Sequence, residues 1–80
     1  MNTENRVSPQ APEIEEAIIG ACLIEQRAIP LIADKLRPEM FYVLRHQLIY
    51  AAILAMYHAG MKIVILTVKE ELSHRGKLEE

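Results

Sequence analysis

The first regular pattern begins after ten polar, aperiodic residues. Apolar side chains recur at Ile14, Ala17, Ile18, Ala21, Cys22 and Ile24, the spacing of an amphipathic helix. Pro12 suits a first helical turn, and Glu13, Glu15 and Glu16 lie where the helix dipole favours negative charge. Ile19 and Leu23 widen the stripe, which predicts a helix covered on two sides. Gly20, costly in mid-helix, predicts a close helix–helix approach. A second, short helix is predicted over residues 28–36, with Pro30 in its first turn and Leu31, Ile32 and Leu36 facing inward. Pro38 ends it. Residues 38–42 then read as one helical turn or a tight connector, anchored in the core by Phe41 and Tyr42.

The longest apolar run follows. Leu44, Leu48, Ala51, Ala52 and Ala55 form one row, and Ile49, Ile53, Met56 and Tyr57 form its neighbour. A helix apolar over so much of its circumference is a central one, predicted over residues 44–59. Gly60 supplies its left-handed cap. Met61 to Leu66 is rich in β-branched residues, yet no second segment exists to pair with it as a strand. It reads as an extended connector over the bundle. Thr67-x-x-Glu70 has the form of a capping box and predicts a last helix from Val68 to about Arg75, stopped by Gly76. The pattern therefore predicts an all-α fold: a compact orthogonal bundle of four to five helices around one central helix, without a sheet. Residues 1–10 read as a flexible lead-in and residues 11–80 as a helical head domain.

Composition adds a tension to this picture. The chain has 80 residues, of which 51% are hydrophobic, and these are mostly aliphatic. A domain of this size buries only about 60–65% of its unfolded surface. Some apolar surface is therefore expected to face a partner. Met61, Ile63 and Val64 are the first candidates for it, and burial of the connector's Ile63, Ile65 and Leu66 in the core is the competing reading. The net charge of −2 provides no cationic field for nucleic acid, although residues 26–62 carry +3. The single Cys22 forms no internal disulfide and fits a reducing compartment. The N-terminus lacks the apolar core of a signal peptide. The run from His46 to Met61 is free of Asp, Glu, Lys and Arg, but it is shorter than the roughly 20 residues of a membrane span.

Candidate chemistry is sparse. Gly76-Lys77 is followed by Leu78, and no glycine lies five residues before Gly76, so the phosphate-loop pattern fails. His46, His58 and His74 are too widely spaced for a helical metal pair, and Cys22 is remote from them. Cys22 is expected on an inner helix face as an inert hydrophobe. Glu15, Glu16, Glu70 and Glu71 are explained by their places in helix first turns. The aromatic residues fall at core spacing and make no stacking platform for single strands. His46, near a helix start, is expected to bond the Phe41-Tyr42 connector. The residues point to no catalytic, cofactor-binding or metal site, and so to an interaction or assembly module.

Three segments carry a resemblance. They are Pro9-x-x-x-Glu13-x-Glu15 with Ile18-Ile19-Gly20-x-x-Leu23; residues 36–53, with Leu36, Pro38, Glu39, Phe41, Tyr42, His46, Ile49, Tyr50, Ala52 and Ile53; and Ile63 with Thr67-Val68-x-x-x-Leu72-x-x-x-Gly76-x-Leu78. In this order and spacing they resemble the N-terminal domain of bacterial replicative DNA helicases of the DnaB type. The chain departs from the family pattern at Lys62-Ile63-Val64, where the family usually has Pro-Ile-Asp. An Asp there accepts backbone hydrogen bonds; Val64 has no such group.

The resemblance implies a cytoplasmic bacterial protein of DNA replication. It implies a hexameric ring whose ATP- and Mg2+-dependent motor lies in a separate C-terminal domain. This chain is then the head of the collar, without the helical hairpin and motor that follow. It is expected to be non-catalytic and to act in ring assembly with its own subunits and in contacts with primase and helicase loader. Direct DNA binding and membrane association are not expected, and the head alone is expected to be a monomer or dimer. The alternative is a free-standing helical adaptor, such as a transcription- or toxin-regulating module; a small enzyme is the third reading.

Overall fold

The computed structural model describes residues 11–79, with side chains over residues 12–76. The lead-in assigned to residues 1–10 lies outside the described residues. The described residues form four helices, α1 (Ala11–Ile24), α2 (Ala28–Ala33), α3 (Leu44–His58) and α4 (Ile65–Glu79), with a 3₁₀ turn at Pro38–Met40 between α2 and α3. Among the described residues there is no strand. The helix α3 touches α1, α2, the 3₁₀ turn and α4, and is the centre of an all-α bundle.

The core is built on α3 because its inward side carries His46, Tyr50, Ala52, Ile53 and Met56. Ile19 and Cys22 from α1, Ile29 from α2, Phe41, Ile63 and Val68 close around them. Each fully buried Ile contributes about 1.5–3 kcal/mol by leaving water. The ring of Phe41 sits 4.9 Å from that of Tyr50, tilted by 34°, a favoured aromatic arrangement.

The C-terminal end of α3 is closed by backbone geometry. Gly60 has φ +73°, open to glycine and strained for other residues. The N–H of Met61 donates to the carbonyl of Met56 at 2.9 Å, and that of Gly60 to Tyr57 at 3.1 Å. These are the two bonds of a Schellman motif, as the position of Gly60 predicts.

Several expectations are corrected. In α1 the buried face is Glu15, Ile19 and Cys22, while Ile14 and Ile24 are exposed; the helix is covered on one side. A Cβ at Gly20 would meet no heavy atom within 4 Å, so no close approach explains this glycine. In α2 Ile29 is buried and Leu31 is exposed, because a helix of six residues turns only one narrow face inward. Along α3 Leu44 and Leu48 are exposed while Ala52 of the same row is buried, and in the neighbouring row Ile53 and Met56 are buried while Ile49 and Tyr57 are half-buried. Tyr42 points outward rather than anchoring the connector. The helix α4 begins at Ile65, three residues before its predicted start, and runs through Gly76 to Glu79. The connector is correspondingly shorter, since Ile65 and Leu66 belong to the helix.

Candidate interaction surface and its polar anchor

Glu15 is a carboxylate one turn into α1, and it is buried. It faces the N-terminus of α3, where Val43 precedes the first helical residue and offers no side-chain cap. The first backbone N–H groups of any helix lack intrahelical partners. Glu15, from another helix, binds the N–H groups of the two residues that lead into this start. Its Oε2 accepts the N–H of Tyr42, and its Oε1 accepts the N–H of Val43 at 3.3 Å. The Nδ1 of His46, on the first turn of α3, lies 2.8 Å from the same Oε1. On the other side of the imidazole, Nε2 lies 3.9 Å from Oε2 of Glu16.

The electrostatics follow from these contacts. Burial pushes the Glu15 carboxyl up, but the N–H of Tyr42, the imidazole of His46 and the N–H of Val43 outweigh it. Together they hold the group below the usual carboxylate range. Two further bonds fix the same stretch of chain. Gln47 Nε2 donates to the carbonyl of Phe41 at 2.7 Å, and the Tyr50 hydroxyl donates to that of Leu36 at 2.8 Å. His46 was expected to bond the connector itself; it bonds Glu15, and Glu15 bonds the connector. The dipole of α1 accounts for Glu16, which stays exposed, but it does not explain why Glu15 points inward.

At the opposite end of the molecule the lead into α4 is held by Thr67. Its hydroxyl accepts the N–H of Val64 at 3.0 Å and contacts the carbonyls of Lys62 and Val64 at 2.7 and 3.0 Å. Thr67 is the third residue of α4, so it reaches backwards to the residue before the helix. That is one half of a capping box; the other half needs an oxygen-bearing side chain at position 64, where Val64 has none. Of the three candidate surface residues, Met61 is exposed, Val64 is half-buried and Ile63 is fully buried. Ile63 belongs to the core and presents no surface. Its carbonyl accepts from Gln26 Nε2 at 3.1 Å.

Beside this lead-in, Ile19, Leu23, Ile49, Ile65, Val68, Lys69 and Leu72 line an open, nearly wholly apolar groove of about 250 Å³ between α1, α3 and α4. Cys22 is buried, and burial pushes its thiol up, which keeps it in the unreactive form. Among the described residues no three His, Cys, Asp or Glu side chains gather as a metal site. No described helix is long and apolar enough to cross a membrane.

Known proteins match the chain over nearly its whole length. The family profile of the DnaB-like helicase N-terminal domain matches residues 7–80. The replicative DNA helicase DnaB of Rhodothermus marinus is 48% identical over 75 residues, which are 94% of this chain and 8% of that protein. The replicative DNA helicase DnaC of Bacillus subtilis is 37% identical over 76 residues, 95% of this chain and 17% of that protein. The replicative DNA helicase DnaB of Geobacillus stearothermophilus is 36% identical over 75 residues, 94% and 16% of the two chains. The chain thus spans less than a fifth of the length of these relatives. No solved structure matches it significantly.

Proposed function

The chain belongs to the family of the DnaB-like helicase N-terminal domain, and from this premise we propose that it is the non-catalytic head of a replicative helicase collar. Its work is protein contact: assembly with its own subunits into a hexameric ring, and engagement of primase and helicase loader, in the bacterial cytoplasm. The observation that carries this reading is the family match over residues 7–80, together with relatives that are replicative DNA helicases. The side chains support it. Glu15, His46, Gln47 and Tyr50 are all engaged in holding the fold. ATP and Mg2+ belong, in this reading, to a separate motor domain of the parent, since Gly76-Lys77-Leu78 lacks the phosphate-loop pattern.

Deleting residues 1–80 from the parent tests it. The expected result is loss of primase co-sedimentation and a weakened ring by native mass spectrometry, with ATP hydrolysis retained. Unchanged ring and primase binding would contradict it, as would ATP hydrolysis by purified residues 1–80. A stop codon directly after Glu80 in the gene would instead favour a free-standing helical adaptor.

A further inference from the structure

The segment that Glu15 holds has a second face. Phe41 and Val43 are extended, with φ −73°, ψ 141° and φ −84°, ψ 122°. Phe41 turns into the core, while Tyr42 between the two is 61% exposed. Met40, the last residue of the 3₁₀ turn, and Leu44, the first of α3, are exposed as well, and so is Leu48, one turn beyond Leu44. Met40, Tyr42, Leu44 and Leu48 are thus four large exposed apolar side chains in a row along one stretch of nine residues. The backbone beneath it is fixed by the bonds to Glu15, Gln47 and Tyr50.

Such a row is suited to binding. A tyrosine on an already ordered segment loses little freedom when covered, and it offers a large apolar body with a polar tip. The segment that carries the row is net basic. Residues 35–48 contain Lys35, Arg37 and Arg45 against the single Glu39. Arg37 and Glu39 pair at 3.0 Å, which leaves Lys35 and Arg45 as the excess. Arg45 is exposed and lies one turn before Leu48. Across His46, the α1 side of this region carries Glu16.

We propose that the Met40–Tyr42–Leu44–Leu48 row docks an amphipathic helix of a separate protein chain, with apolar residues at i, i+4 and i+7 and carboxylates on the flank that meets Arg45. This deepens the contact-module reading and rests on it. Two to three helical turns, about 11–16 Å, suffice to cover such a row.

The test uses two stapled helical peptides with the same leucine row, one flanked by glutamates and one by lysines, titrated into isotope-labelled chain. The acidic peptide is expected to bind and shift the amides of Tyr42 to Leu48, roughly tenfold more tightly than the basic one. Tyr42→Ser with Leu44→Ser should weaken it by roughly tenfold or more at an unchanged thermal midpoint, because both side chains are exposed. Arg45→Glu should reverse the preference between the peptides. The proposal is overturned if the Tyr42–Leu48 amides stay unmoved at millimolar peptide, or if the shifts map to the groove between α1 and α4. It is also overturned if the row proves to be a self-association surface that the double variant abolishes. If deletion of residues 1–80 removes primase binding while the row is inert, only the row is discarded and the module reading stands.

Discussion

At its N-terminal end α3 is tied to α1 and to the connector of residues 36–43 by directional bonds from its own His46, Gln47 and Tyr50 and from Glu15 of α1. At its C-terminal end it turns through Gly60 and passes Ile63 into the core before α4 begins. There the cross-chain fixation is mostly apolar burial, with one bond from Gln26 to Ile63. The difference teaches how a small domain obtains one arrangement from an abundant aliphatic supply. Aliphatic contacts favour collapse and tolerate sliding, whereas a carboxylate that must satisfy two N–H groups and an imidazole has one productive position. The polar end sets the register of α1 on α3, and the apolar end supplies burial.

The largest expected break in this comparison is Glu15→Ala. It leaves the N–H groups of Tyr42 and Val43 and the imidazole of His46 without their acceptor, and should cost about 2–4 kcal/mol in urea unfolding. Acid should act on the same group. The folded carboxyl titrates below its unfolded value, so its stabilisation is present above that value and is lost as pH falls through the folded one. Stability measured from pH 6 downward should therefore decline through the carboxylate range, and Glu15→Gln should flatten the decline. An equal slope in both proteins would remove Glu15 as its source.

Tyr50→Phe should be smaller. It withdraws the donor from the Leu36 carbonyl while preserving the ring's packing on Phe41, and a loss of about 1–2 kcal/mol is expected. At the apolar end the sign should reverse. Val64→Asp places an N-cap carboxylate before α4 and completes the half-made capping box, for a gain of about 1 kcal/mol. If thermal unfolding shows no gain, Thr67 alone satisfies that helix start.

Much of the local architecture was legible in the residues. Gly60 marked the end of α3, Pro38 marked the single turn, and the run from Leu44 marked the central helix, because each depends on its own neighbours. Glu15 was hidden by a sufficient local explanation: a carboxylate in a first turn already suits the helix dipole. The signal that could have found it is spacing. Glu15, Ile19 and Cys22 stand at i, i+4 and i+7 and share one face, so a charge on an inward stripe pointed to a buried partner. The start of α4 was misplaced for a related reason. Thr67 and Glu70 have the form of a capping box read forward, but Thr67 sits inside the helix and reaches back to Val64. Which apolar rows face inward depended on tertiary packing, and the exposure of Leu31, Leu44 and Leu48 was invisible to periodicity alone.

Amide hydrogen exchange at Tyr42 and Val43 tests most directly whether Glu15 anchors α3. Both N–H groups precede the helix and would exchange quickly if they faced water. The account predicts slow exchange at both in the native protein. In Glu15→Ala both should become fast, while protection at Ile53 and Met56 falls only by the global loss of stability. Fast exchange of Tyr42 and Val43 in the unaltered protein would contradict it.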